Sequence, residues 1–232
     1  MEDVREDMLL EAELLLLSLA TGIQDAAVWI DYALFASNQT GNLLFLAITG
    51  ADFAHGKDAR NIAISLGTFV GGALAFGQFG NYIGPRKRLW LILSNVLQTA
   101  MVYVAAAIWY TIPHSRHGAT ARGVITLLAV SSGAQIAMGR SLRITEITTA
   151  MATSVFADAV VDPGLIQLNN RRRNRRVLFL IMLTVGCLAG AFAQKGVNSA
   201  FTILLCAIVK SIVTGAFFFN RHIAKGDECS AR

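Results

Sequence analysis

Long apolar runs broken by short polar blocks set the pattern of this chain. The windows 8–30, 62–83, 89–112, 124–138, 177–197 and 200–219 carry almost no charge. Each reaches or approaches the roughly 20 apolar residues that a helix needs to cross a hydrocarbon core of about 30 Å. The pattern predicts an all-α polytopic membrane protein with six transmembrane helices, folded as a single transmembrane domain over 1–232. Turn residues and charges mark the ends of spans, as in Gly84-Pro85-Arg86-Lys87-Arg88 and Pro113-His114-Ser115-Arg116-His117. The longest interruption runs from Asp162-Pro163-Gly164 to the arginine block Arg171-Arg172-Arg173-Asn174-Arg175-Arg176.

Two further segments, 34–49 and 144–160, are partly apolar but carry polar runs, Phe35-Ala36-Ser37-Asn38-Gln39-Thr40-Gly41-Asn42 in the first and Thr148-Thr149 through Thr153-Ser154 in the second. Charge counting decides how they run. If both crossed, Arg86-Lys87-Arg88 and the arginine block would fall on opposite sides, against the positive-inside rule. If both are re-entrant or broken, one face collects Arg86, Lys87, Arg88, Arg140, Arg143, the arginine block, Arg221 and Lys225. The other keeps Lys57, Arg60, Arg116, Arg122 and Lys195, partly balanced by Asp52 and Asp58. This places both termini on the cytoplasmic side.

Composition agrees: 54% of the residues are hydrophobic and 15% charged, against roughly 25% charged in a soluble domain. A net charge of +5 is read as positive-inside blocks and contact with anionic lipid headgroups, with no nucleic-acid partner. The acidic start, Glu2-Asp3-Val4-Arg5-Glu6-Asp7, lacks the positive region of a cleavable signal peptide. Cys187, Cys206 and Cys229 have no paired spacing, and His55, His114, His117 and His222 share no helical face, so neither a metal nor another cofactor is expected. Trp29, Trp90, Trp109 and Tyr110 lie near span ends, where interfacial anchors are expected.

The two halves, about 8–112 and 122–220, repeat. Gly22-Ile23-Gln24-Asp25-Ala26-Ala27 is echoed by Gly133-Ala134-Gln135-Ile136-Ala137-Met138, and each is followed by a polar interruption. Phe76-Gly77-Gln78 matches Phe192-Ala193-Gln194, and the pair Gly67/Gly71 matches Gly186/Gly190. With three spans in each half, the halves have opposite orientation, the inverted repeat of many secondary transporters.

These motifs, together with Glu146-Ile147-Thr148-Thr149-Ala150-Met151-Ala152-Thr153-Ser154, resemble the YoaK-like family of integral membrane proteins, specifically its fungal branch, over nearly the whole chain. The resemblance implies the membrane class and leaves the activity open, since the family is one of unknown function. Thr153-Ser154 stands where many bacterial relatives carry a second Thr-Gly.

Amides and hydroxyls at membrane depth survive only inside protein or beside a water-filled cavity. The expected substrate-binding residues are therefore Gln24, Asp25, Asn38, Gln39, Thr40, Gly41, Asn42, Gln135, Thr149, Thr153 and Ser154. Thr40 is expected to cap a helix whose N-terminus attracts negative charge, with a matching terminus near Thr153-Ser154. Asp25 and Glu146 are candidates for proton coupling, because carboxylates at membrane depth are costly and functional; Asp158 is placed in an ion pair beside the arginine block and Asp31 at the far interface. The reading is a small secondary transporter or permease for a small, anionic solute, with the lipid bilayer, the solute and a second copy of the chain as partners. It is not read as an enzyme; the alternative is a non-transporting scaffold or assembly factor whose polar groups satisfy one another, with a membrane-embedded enzyme third.

Overall fold

The structure, a computed structural model, describes residues 4–51, 58–112, 115–167 and 169–220. His55, His114, His222, Cys229, Asp52, Lys57, Arg221 and Lys225 lie outside the described residues. Among the described residues the chain is all helical: α1 (Met8–Tyr32), α2 (Gln39–Gly50), α3 (Ala59–Ile83), α4 (Arg88–Thr111), α5 (Ala119–Ser141), α6 (Ala152–Val160), α7 (Arg171–Gly196) and α8 (Ser199–Ala216). Six of these, all but α2 and α6, are long and apolar enough to cross a membrane. At 12 and 9 residues, α2 and α6 extend only about 18 and 14 Å, too short to cross. They fall in the two segments that charge counting had marked as re-entrant or broken.

Side-chain caps fix several helix starts. Asp7 accepts from the Leu10 amide, Asp58 from those of Arg60 and Asn61, Asn170 from Arg173 and Asn198 from Phe201; each such cap is worth about 1 kcal/mol. Helices α1 and α5 both break at left-handed residues, Ala33 (φ 54°) and Arg143 (φ 61°). Beyond each break the chain turns into its short helix.

The contacts between helices keep their pattern when α1–α4 are exchanged for α5–α8. Helix α1 packs along α7 as α5 packs along α3, α1 meets α8 as α5 meets α4, α2 lies on α3 as α6 lies on α7, and α4 meets α8. Glycines permit the two closest crossings. A Cβ on Gly22 would collide with the Leu183 carbonyl and the Cys187 amide, and one on Gly186 with the Leu19 carbonyl. Gly133 meets the Phe69 carbonyl in the same way, and Gly72 meets the backbone of Val130. The packing glycine of α3 is thus Gly72, whereas Gly67 and Gly71, the pair matched to Gly186/Gly190 in the sequence, face open space.

Long-range contacts sort the span ends into two sets. At one end the Val4 amide donates to the Arg86 carbonyl, Arg86 to the Leu142 carbonyl, Arg88 to the Phe217 carbonyl and Asn220 to Glu13. Here Arg175 pairs with Glu6 (2.6 Å) and Glu11 (2.7 Å) and lies 3.7 Å from Glu146; Arg171 pairs with Glu11, and Arg176 with Asp162 at 2.9 Å. The basic blocks of three separate loops therefore share one end. At the other end His117 pairs with Asp58, Asn61 donates to the Arg116 carbonyl, Gln194 donates to Asp31, and Tyr32 stacks on Trp109. Trp29 and Tyr110 are exposed there, but Trp109 and, at the basic end, Trp90 are buried, so tertiary packing rather than headgroup contact holds these two.

The Asp58 contact carries a pH prediction. Burial alone raises the Asp58 carboxyl, but hydrogen bonds from His117 and from the Asn61 and Arg60 amides outweigh it and hold the group below its usual range. A carboxyl depressed on folding adds stability above its unfolded pKa of about 4 and loses it as pH falls through the lower folded value. Protection of the Arg60 and Asn61 amides against hydrogen exchange, relative to the free-chain rate at each pH, is accordingly expected to hold from neutral pH down to about 5 and to fall below the carboxyl range, while Asp58→Asn removes the transition.

Candidate functional site

Between the two ends the buried apolar side chains form two separate clusters. One contains Leu10, Leu14, Leu17, Leu91, Met138 and Val213; the other begins at Ala20, Val102, Leu128 and Val209 and extends to the opposite end. The layer that divides them is polar. It comprises Ser18, Thr21 and Gln24 of α1, Ser94, Asn95, Gln98 and Thr99 of α4, Ser131, Ser132 and Gln135 of α5, and Lys210 of α8, all buried.

The two glutamines of the repeated Gly-x-Gln motif organise this layer. Gln24 Nε2 donates to Ser132 Oγ (2.7 Å) and to the Leu128 carbonyl (3.5 Å), three and seven residues before Gln135. Gln135 Nε2 donates to Thr21 Oγ1 (2.8 Å) and to the Leu17 carbonyl (3.4 Å), three and seven residues before Gln24. The bonds are reciprocal, so each half grips the other through the same atoms. Buried amides are costly unless paired, and the repeat supplies both partners at once.

Lys210 breaks the symmetry. It is 1% exposed, and its Nζ donates to Gln135 Oε1 at 2.6 Å and to Gln98 Oε1 at 3.2 Å. Gln98 Nε2 in turn donates to Ser94 Oγ at 2.9 Å, while Asn95 Nδ2 donates to Thr214 Oγ1 at 2.9 Å and to the Lys210 carbonyl at 3.4 Å. Among the described residues no carboxylate pairs with this ammonium. Sequence reasoning overlooked Lys210, although a cation inside an apolar span is the standard signal of an intramembrane functional group.

The run from Phe35 to Asn42 is built differently. Asp25 Oδ1 accepts from the Ala36 and Ser37 amides (3.1 and 3.0 Å), and Oδ2 accepts from the Ser37 hydroxyl. Asn42 clamps Phe35 from both sides, accepting from its amide at 2.9 Å and donating to its carbonyl at 2.7 Å; Asn42 also donates to Gln39 Oε1, and Ser65 Oγ donates to the same Phe35 carbonyl. Phe35 stacks on Trp29 with ring centroids 5.0 Å apart, and a Cβ on Gly41 would meet the Phe35 ring. Helix α2 starts at Gln39, so Thr40 lies inside it, and Asn38 at the cap position makes no side-chain cap bond.

The second half lacks this turn chemistry. Thr149 is fully buried in a left-handed conformation (φ 61°) against Gly139, and its hydroxyl finds no partner. Helix α6 starts at Ala152 without a side-chain cap, leaving Thr153 and Ser154 exposed in its first turn. Thr40 is likewise exposed. The structure thus gathers Gln24 and Gln135 at the crossing of the halves, keeps Asp25, Gln39 and Asn42 within the Phe35 turn, and leaves Thr40, Thr153 and Ser154 on outer surfaces. Glu146 stands at the basic end, 3.6 Å from Arg172 and 3.7 Å from Arg175. Surface depressions of about 510 and 490 Å³ lie on the outer side of α3 and between α4 and α8, and neither is lined by Gln24 or Gln135.

Six apolar spans, two half-length helices and a polar layer where the halves cross define a multi-pass helical membrane protein. The chain matches the profile of the family described as protein of unknown function (DUF1275) over residues 14–216, and it belongs to that family. YoaK-like is a related name for it. No curated protein and no solved structure matches the chain.

Proposed function

We propose that the protein is a small secondary transporter whose solute passes through the polar layer at the crossing of two inverted three-span halves. The single observation that carries this reading is the reciprocal bonding of Gln24 and Gln135. A layer of amides and hydroxyls in the centre of a membrane bundle costs more than an apolar core of equal volume, whereas inverted-repeat carriers place their sites at this depth, between the repeats. The positive-inside rule then puts the arginine-rich end, and both ends of the described chain, on the cytoplasmic side. A homodimer would meet on α3, where Gly67 and Gly71 are uncovered, and within its family we place the chain in the fungal branch on the motifs quoted above.

Side-chain accessibility tests the reading without knowledge of the solute. In a background lacking Cys187, Cys206 and Cys229, Thr21→Cys and Ser132→Cys are expected to react with a membrane-impermeant thiol reagent added from either face of proteoliposomes, at rates that differ between the faces. A sealed layer that reacts from neither face removes the transport reading. It would favour the scaffold, which one observation supports directly: the Phe35 turn spends Asp25, Asn42 and Ser65 on bonds within the chain.

A further inference from the structure

The ammonium of Lys210 poses an electrostatic problem that the described residues do not solve. Its acceptors are two neutral amide oxygens. Every element packed around it is accounted for: α4 presents Ser94, Asn95, Gln98 and Thr99, α5 presents Ser131, Ser132 and Gln135, α1 presents Thr21 and Gln24, and α8 itself places Cys206 one turn away. The carboxylates that α1 carries within the bundle are held elsewhere: Asp25 accepts from Ala36 and Ser37, and Glu13 from Asn220. A buried cation without a counter-ion is costly even when hydrogen-bonded, and an anion beside it offsets that cost.

We propose that Lys210 is the charge-matching residue of a small-anion site in the polar layer, so that the transported solute is a compact monovalent or divalent anion. The assignment rests on the transport reading for the movement of that anion, but not for its binding. In the state described here Gln98 and Gln135 turn their oxygens to Lys210. Rotation of each terminal amide by about half a turn, an sp³–sp² torsion with a roughly two-fold profile, presents N–H donors to the space beside the ammonium instead. Anion arrival thus converts two acceptors of the lysine into two donors for the ligand; Ser94, which now accepts from Gln98, donates to its rotated oxygen, and Thr21 donates to that of Gln135 once its hydroxyl leaves the Leu17 carbonyl. The Gln98–Ser94 pair therefore stays hydrogen-bonded both with and without the anion. This anion site is independent of the exposed helix starts at Thr40 and Thr153.

Thermal unfolding of the purified protein tests the site. Sodium chloride, formate and phosphate are titrated at constant ionic strength against sodium gluconate, a bulkier organic anion. At least one of the three is expected to raise the midpoint saturably. Lys210→Met should raise the half-saturating concentration by about 100-fold, the effect of removing one partner of a buried charge pair, while Lys210→Arg retains saturation. A midpoint insensitive to all three anions in the native protein overturns the site, as does an unchanged titration in Lys210→Met; should that variant fail to fold, loss of saturation in Lys210→Arg with full saturation in Lys210→Gln also overturns it. Flux of the same anions in proteoliposomes separates the two levels. A saturable midpoint without flux removes transport and keeps the site, whereas flux of neutral solutes with no anion response keeps transport and removes the site.

Discussion

Replacement of Gly186 by leucine is expected to leave no folded protein in detergent extracts. The Gly186 Cα faces the backbone of α1, and a Cβ there would stand 3.0 Å from the Leu19 carbonyl carbon and 3.1 Å from its Cα. Backbone atoms of a packed helix cannot rotate aside as a side chain can. The whole α1–α7 contact must therefore open, and with it the reciprocal placement of Gln24 against α5. Overpacking costs about 1–3 kcal/mol where neighbouring side chains can shift and more where they cannot; here the obstacle is backbone, and a helix crossing held by van der Waals contact in lipid has no hydrophobic term to offset the loss. Gly133→Leu should behave alike, since its Cβ would stand 3.1 Å from the Phe69 carbonyl carbon and 2.9 Å from the Ala73 amide. The comparison is Gly215→Leu on the exposed side of α8, where nothing lies within 4 Å: its unfolding midpoint should match that of the native protein. Size-exclusion profiles and thermal midpoints of the three variants check this, and equal tolerance at Gly186 and Gly215 would contradict the packing described.

Asp25→Ala is expected to give the second-largest effect, about 3–5 kcal/mol of destabilisation. Its carboxylate is the acceptor for the Ala36 and Ser37 amides and the Ser37 hydroxyl, and both residues are buried. Removal leaves these donors without a partner at a depth where water cannot replace it. Asp25→Asn keeps one oxygen for the amides and should cost about 1–2 kcal/mol. Hydrogen exchange at Ala36 and Ser37 provides the local readout. Fast exchange there in Asp25→Ala, with α7 and α8 still protected, marks Asp25 as the anchor of the turn. A variant that is stable and protected but loses proton-driven flux would restore it to a coupling role.

The outline of the molecule was legible because the bilayer constrains a sequence so strongly. Segment 62–83 lies within α3, and 200–219 covers α8 together with the short 3-10 turn after it, since a span is defined by the absence of charge over a fixed length. The two half-length helices were legible as polar interruptions, and the Gly-x-Gln repeat as a short motif in order. What pointed the wrong way was local. Thr40 suggested a helix cap from residue type, yet it lies in the first turn of α2 and is exposed. Gly67 and Gly71 have the spacing of a packing motif, but spacing does not say which face of α3 turns inward, and Gly72 is the residue in contact. Glu146 read as a lone carboxylate in an apolar stretch because the arginines that face it, Arg172 and Arg175, are far away in the chain.

By itself, then, the sequence determined the membrane class, the number of spans, the two interruptions and the collection of basic blocks on one side. These follow from composition and charge along the chain, summed over many residues. Only the tertiary structure decided which polar groups meet. Gln24 and Gln135 are 111 residues apart and become reciprocal partners only when α1 and α5 cross within a hydrogen bond of each other's preceding turn. Lys210 was one charge in an apolar segment until α4 and α5 enclosed it with two amides and no carboxylate. A hydrogen bond depends on distances of about 3 Å between residues that sequence separation does not relate, and such distances are set by the packing of the bundle.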